Sequence, residues 1–394
     1  MIDVAKNRVL IIDDDQRICR IIKRIADSLE LESFVVNDPA IFESVYLDYQ
    51  PNVILLDLQM PKMDGVELLR KLADQRSKAA IILVSGMDKG VLETTKDLGK
   101  SLGLNMAGFL HKPLDIDAAK VILEKHFDPL IERSSKTPEI TADELKIAIE
   151  QKQLVVHYQP QIHLESGKLV GAEALVRWQH PEHGLLFPDT FIPLAEKDQS
   201  LIGPLTYLVL ETALQYDMKV IQHDNELNLS INLSAKLLGD LSLPDQVEEL
   251  LTTHRFDSSR LLLEVTESGA MEDPSLTMDN LTRLRLKNIR LSIDDFGTGF
   301  SSLVQLYRMP FNEIKVDKSF VMKAMTDKEA AAIVRITIDL GHSLGLEVVA
   351  EGIEDQETLD WLKELGCDIG QGYFISRPTD AIQFSDWAKE YRKS

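Results

Sequence analysis

Basic residues are scarce in this chain. Its 394 residues carry 43 Lys and Arg against 64 Asp and Glu, a formal net charge of −21. Non-specific binding to nucleic acid needs clustered cations, so a DNA-binding role is not expected. An anionic phosphate substrate would need metals or local cations to reverse the field at its site. Cysteine is scarcer still: only Cys19 and Cys367, far apart and without a CxxC. That excludes a disulfide framework and a Cys-rich zinc site, and fits a reducing compartment. Long apolar runs are missing too. No run is long enough to span a membrane, and the polar stretch Met1 to Arg8 does not read as a signal peptide. The expected setting is therefore soluble and cytoplasmic.

What the chain does have is core-forming material. Apolar residues make up 44% of it, which sets it apart from disordered chains. Its length suits two or three domains better than one.

The first part alternates strand-like and helix-like runs. Val9 to Ile12 ends in Asp13, Asp14 and Asp15, and a helical pattern follows through Ile18, Ile21, Ile22 and Ile25. Val53 to Leu56 ends in Asp57, Ala79 to Val84 in Ser85-Gly86, and Ala107 to Leu110 in His111-Lys112-Pro113. The alternation predicts a doubly wound parallel sheet, with ligands outside the carboxyl ends of the strands. Those ends carry Asp13, Asp14, Asp57, Ser85 and Lys112. Three carboxylates can hold a Mg²⁺ while one attacks phosphorus, and a hydroxyl and an ammonium can offset the phosphoryl charge.

Residues 8 to 126 resemble the receiver domain of two-component response regulators. The resemblance rests on the acid pair, Leu-Leu-Asp-Leu-Gln-Met-Pro, Met-Asp-Gly, Val-Ser-Gly and Lys-Pro. It implies a (βα)5 fold, with Asp57 phosphorylated from a cognate sensor histidine kinase. It also implies Mg²⁺ on Asp13, Asp14 and Asp57, with Ser85 and Lys112 on the phosphoryl group. A cis bond before Pro113 and a rotamer switch at Phe109 come with it. Asp15 reads as a solvated neighbour of the metal pair.

Residues 127 to 140 hold two prolines and two serines in mixed charge and read as a linker. Thr141 to Glu144 then reads as a capping box opening a helix. The expected division is 1–126, a linker at 127–140, and 141–394.

The second part shows eight strand-like runs: 154–158, 169–175, 227–233, 261–265, 291–293, 313–316, 347–350 and 369–375. Helical segments separate most of them, which predicts a (β/α)8 barrel of the triosephosphate-isomerase type. The strand ends carry Glu173, Asn232, Glu264, Asp294, Asp295, Lys315, Glu351 and Gln371. Adjacent acids such as Asp294 and Asp295 repel unless a cation sits between them, and hard oxygen donors suit Mg²⁺ or Mn²⁺. Gly297 and Gly299 permit a tight turn after the pair. His180-Pro-Glu-His183 reads as a surface loop despite its spacing, and Met322 to Met325 as core or interface fillers.

This region resembles the EAL family of cyclic di-GMP phosphodiesterases. The naming motif is Glu173-Ala174-Leu175-Val176-Arg177-Trp178. Ser230-Ile231-Asn232-Leu233-Ser234, Leu263-Glu264-Val265-Thr266-Glu267-Ser268 and the stretch Asp294 to Leu303 follow in order. Ile314-Lys315-Val316-Asp317, Ala350-Glu351-Gly352 and Gln371-Gly372-Tyr373 complete the match. The resemblance implies a barrel with one strand reversed, and hydrolysis of cyclic di-GMP to pGpG with two ions. Glu173, Asn232, Glu264 and Asp294 would hold the first ion, and Asp294 and Asp295 the second. Lys315 would orient water or offset charge, and Glu351 would position or deprotonate water or serve as a ligand. Gln371 would hold a water network, Arg177 and Gln159 would contact substrate, and Glu267 would steady the loop after Asp295. A homodimer or larger homo-oligomer is expected, with neither a DNA-binding helix pair nor a diguanylate cyclase domain. The alternative is an inactive receptor that binds cyclic di-GMP without turnover. Such members lack ligands or carry a damaged loop, and neither defect shows in this sequence.

Overall fold

The computed structural model describes residues 7–127, 138, 140–220, 227–270, 274–298 and 303–392. The chain divides into two compact units, residues 1–137 and 138–394.

In the first unit, the elements are β1 (Arg8–Ile12), α1 (Gln16–Ser28), β2 (Glu32–Val36), α2 (Phe42–Tyr49), β3 (Val53–Asp57) and α3 (Gly65–Asp74). They continue with β4 (Ala80–Ser85), α4 (Lys89–Ser101), β5 (Asn105–His111) and α5 (Ile116–Phe127). The strands form one parallel sheet in the order β2-β1-β3-β4-β5. β3 and β4 read as continuous apolar runs because helices cover both faces, and every residue in them is buried. Two core clusters lie one on each side of the sheet, around Leu56, Phe42 and Leu69 and around Ile11, Ile22 and Leu123. Asp15 accepts the Arg17 backbone N–H and so caps α1. It also pairs with the Arg17 side chain, a structural role beyond the solvated neighbour expected from sequence.

The second unit opens on α6 (Ala142–Glu150), β6 (Leu154–His163), β7 (Leu169–His180), β8 (Gly184–Leu186), α7 (Pro188–Lys197) and α8 (Gln199–Val220). Next come β9 (Asn228–Asn232), α9 (Leu243–His254), β10 (Leu261–Thr266), α10 (Glu267–Ala270), α11 (Pro274–Leu286), β11 (Arg290–Phe296) and α12 (Leu303–Arg308). The last are β12 (Glu313–Val316), α13 (Lys318–Val321), α14 (Lys328–Ser343), β13 (Glu347–Ala350), α15 (Gln356–Glu364), β14 (Ile369–Gly370) and α16 (Ala381–Tyr391). Thr141 and Glu144 form the capping box of α6.

The strands run β6-β14-β13-β12-β11-β10-β9-β7, and a β6–β7 pairing closes the barrel. β6 is antiparallel to both neighbours and is the reversed strand. β8 is an extra hairpin strand on β7. The last apolar run yields only the two-residue strand Ile369–Gly370, where 369–375 was expected. His180 is buried at the end of β7, correcting the surface-loop reading. Its Nδ1 accepts the backbone N–H groups of Glu182 and His183, so it serves the turn. Met322 and Met325 are exposed rather than core. Among the described residues, no helix is long and apolar enough to cross a membrane.

Candidate active site

In the first unit, one ligand oxygen each from Asp13, Asp14 and Asp57 lies within 4.8 Å of the others. The sheet order brings them together, because β1 and β3 are neighbours and both end at this edge. Lys112, at the end of β5, lies 2.8 Å from Asp13 Oδ2 and 2.8 Å from Asp57 Oδ2. Burial pushes the Asp13 carboxyl up, with Lys112 opposing. The Ser85 hydroxyl accepts the Met87 backbone N–H. The Lys112–Pro113 bond is cis.

In the second unit, the polar residues gather in a cleft of about 800 Å³ at the carboxyl ends of the parallel strands. Asp294 and Asp295 both belong to it, although neighbours on a flat strand point to opposite faces. The pairing of β11 with β12 explains this. Ser292 opposes Glu313, Ile293 opposes Ile314, and the next pair is Phe296 with Val316. Two residues therefore stand opposite Lys315, as in a β-bulge. Asp295 takes a positive φ of 54°, a conformation that Asp tolerates better than most side chains. Its N–H donates to Asp294 Oδ1. Glu267 Oε2 accepts the Gly297 N–H at 2.9 Å and so braces the turn beyond the pair. Gly299 to Ser302, the remainder of the glycine stretch, lies outside the described residues.

Lys315 is fully buried at the centre. Its Nζ is 2.5 Å from Glu351 Oε1, 2.7 Å from Glu264 Oε2, 3.3 Å from Asp294 Oδ1 and 3.8 Å from Glu173 Oε1. Burial alone would pull the ammonium down, but these carboxylates raise it well above its ordinary value. One cation does not satisfy so many acids. Burial and the Glu173 charge push Glu264 well up. Burial pushes Glu351 up to about 8 against the pull of Lys315. Burial, then Asp294 and Asp317, push Asp295 up to about 6. Glu173 moves the other way. Burial opposes its ionisation, but Lys315, Gln371 and Asn232 hold it below the usual carboxylate range. Buried acids raised in a cleft mark a place short of positive charge.

Amide groups complete the wall. Asn232 Nδ2 donates to Glu173 Oε1 at 2.8 Å, and Gln371 Nε2 donates to Glu173 Oε2 at 2.5 Å. Gln371 Nε2 also reaches Gln159 Oε1 at 3.1 Å. Arg177 lies over the Phe187 ring at 5.0 Å. Its Nη1 donates to the Val176 carbonyl, while its buried Nε has no hydrogen-bond partner among the described residues.

The EAL domain family model matches residues 142–378, more than half of the chain. The chain belongs to the EAL domain family. A response regulator receiver domain matches residues 9–124 in front of it. The cyclic di-GMP phosphodiesterase RocR of Pseudomonas aeruginosa is 33% identical over 340 residues, covering 85% of this chain and 86% of RocR. The bifunctional diguanylate cyclase/cyclic di-GMP phosphodiesterase MucR of the same species is 40% identical over 240 residues, but this chain spans only 35% of MucR. The solved structure of the PaMucR phosphodiesterase with c-di-GMP aligns at a TM-score of 0.59 and 41% identity. It covers 61% of this chain and 98% of that one.

Two residues of this EAL domain escaped the sequence reading as individual contributors. Asp317 is buried, and its charge bears on Asp295. It follows Lys315 by two positions just past β12, a period-two signal. Gln161 is buried beside Gln371, and the same spacing from Gln159 would have pointed to it.

Proposed function

We propose that this chain hydrolyses cyclic di-GMP to pGpG, and that phosphorylation of Asp57 by a sensor histidine kinase modulates the rate. The observation that carries the reading is the bulge in β11. It turns two adjacent carboxylates toward one cleft that also holds Glu173, Asn232 and Glu351, with Glu264 buried behind it on Lys315. Similarity to RocR over both domains supports it.

The donor set fits a hard divalent cation. All the acids offer oxygen, and Glu264 Oε1 is buried without a hydrogen-bond partner among the described residues. Asn232 uses its amide nitrogen on Glu173, which leaves its carbonyl oxygen as the donor atom. Glu173, Asn232, Glu264 and Asp294 would hold one Mg²⁺ or Mn²⁺, and Asp294 and Asp295 a second. Such ions, when bound, supply water activation and charge stabilisation at phosphorus. The chain's own residues supply the rest. Lys315 offsets acid charge next to the reacting phosphate. Glu351 accepts a proton from the attacking water or joins the ligands. Arg177 offers a planar guanidinium to a phosphate, and Gln159 lines the same wall. Glu267 holds the turn that presents Asp295. Water oxygen bonds to phosphorus, the P–O3′ bond breaks, and the 3′ oxygen leaves as a hydroxyl.

In the first unit, Asp13, Asp14 and Asp57 would hold Mg²⁺, and Ser85 and Lys112 would meet the phosphoryl group. The test is to incubate the full chain with cyclic di-GMP and Mg²⁺ or Mn²⁺ and follow pGpG by chromatography. Turnover is expected, and Glu173→Ala should abolish it. Tight binding without turnover in both metals would replace this reading with that of a receptor.

A further inference from the structure

We propose that Gln161 is a positioning residue, which sets the orientation of the metal-holding carboxylate Glu173 through the amide of Gln371. The proposal rests on the reading of Glu173 as a ligand. Its basis is the reversed strand. In the β6–β7 pairing, Gln159 stands opposite Glu173 and Gln161 opposite Gly171. Period-two alternation puts Gln159 and Gln161 on the same face. β14 pairs with β6 through Gly370 and Ile162, which delivers Gln371 beside Gln161.

The resulting chain of hydrogen bonds has one direction. Gln161 Nε2 donates to Gln371 Oε1 at 3.0 Å. Gln371 Nε2 donates to Glu173 Oε2 at 2.5 Å and to Gln159 Oε1 at 3.1 Å. Glu173 is a carboxylate and only accepts, so Gln371 must turn its NH₂ that way. The Gln371 carbonyl then faces Gln161, which must donate. The three amides are 3–7% exposed, so water is a poor substitute. Without a donor at position 161, the Gln371 carbonyl is left unsatisfied. A flip of that amide would set its oxygen against Glu173. Gly171 supports the same arrangement from behind. A Cβ there would stand 2.9 Å from Gln161 Oε1, so glycine makes the room in which Gln161 lies.

Gln161→Met keeps the length of the side chain and removes the donor. The full-length variant should melt as a folded protein by circular dichroism. Its kcat should fall about tenfold or more, with KM for cyclic di-GMP within about twofold of wild type. Mn²⁺ affinity, titrated by EPR of free Mn²⁺ without substrate, should weaken in parallel. Gly171→Ala should move both readouts the same way by displacing Gln161. In a Gln371→Leu background, Gln161→Met should cost nothing further. Wild-type kcat and Mn²⁺ affinity in either single variant, or losses that simply add to those of Gln371→Leu, would overturn the proposal. Glu173→Ala separates the two readings. Unchanged Mn²⁺ affinity there sinks the ligand assignment, whereas an effect there with none at Gln161 sinks only the positioning role.

Discussion

Lys315 does with an ammonium what divalent cations would do with two charges. It has no exposed side-chain surface and reaches Glu264, Glu351 and Asp294 at 2.7, 2.5 and 3.3 Å. Removing one member of such a buried set leaves the others uncompensated, which typically costs about 3–5 kcal/mol. Lys315→Met should therefore melt well below wild type in EDTA. Added Mg²⁺ or Mn²⁺ should recover more of the melting temperature in the variant than in wild type, because the cation substitutes for the lost ammonium. Thermal melts of both proteins with and without metal check this. An identical loss under the two conditions would mean that these carboxylates do not share a cation site. Activity should stay low even where stability returns, since in the proposed mechanism Lys315 also offsets charge beside the reacting phosphate.

At the scale of elements, the site depends on how backbones cross at the barrel mouth. The segment after β14 runs against the segment after β13. Gln371 N–H donates to the Ala350 carbonyl, Ile353 N–H to the Gln371 carbonyl, and Phe374 N–H to the Ile353 carbonyl. A Cβ on Gly372 would fall 2.1 Å from the Ile353 carbonyl oxygen, a contact with backbone that no side-chain movement relieves. Gly372→Ala should therefore displace Gln371 and Glu351 together. A kcat loss of about tenfold or more is expected, with destabilisation of about 1–3 kcal/mol in urea melts. Wild-type values on both counts would show that the crossing is slack. This crossing also explains why the run 369–375 looked like a full strand from its sequence. The chain pairs for only two residues, Ile369 and Gly370, before it turns to meet Ile353. The same limit applies at β11. The acid pair was legible as residues, but strand alternation sends Asp294 and Asp295 to opposite faces. Only a register break, which depends on the partner strand, brings both inward. His180 misled for a related reason. Its polarity and the turn after it suggest surface, while its ring nitrogen is used up by that turn's N–H groups. The strand-end residues were easier to read. In a parallel barrel every strand delivers its last residues to one mouth, so Asn232, Glu264 and Lys315 were bound to converge once their strands were identified.

At the scale of the whole chain, two acid clusters are paired with lysine, one in each unit. In the first, Lys112 ties Asp13 and Asp57 at 2.8 Å each. A phosphoryl group on Asp57 would compete for that ammonium and for the Ser85 hydroxyl, which now accepts the Met87 N–H. Both contacts lie at the ends of β4 and β5, so the modification changes the partners of two strand termini at once. A change of that kind biases a two-state element by charge and hydrogen bonding. Couplings between distant sites are commonly worth about 1–3 kcal/mol, or roughly fivefold and upwards in the property they control. Wild-type protein given acetyl phosphate and Mg²⁺ should therefore hydrolyse cyclic di-GMP at a rate about fivefold or more different from the untreated protein. Asp57→Asn cannot form the aspartyl phosphate, so it should show one rate under both conditions. Initial rates of pGpG formation, measured on both proteins with phosphorylation monitored by mass spectrometry, decide the matter. A phosphorylated wild type that turns over at the untreated rate would mean that the first unit does not regulate the second through Asp57.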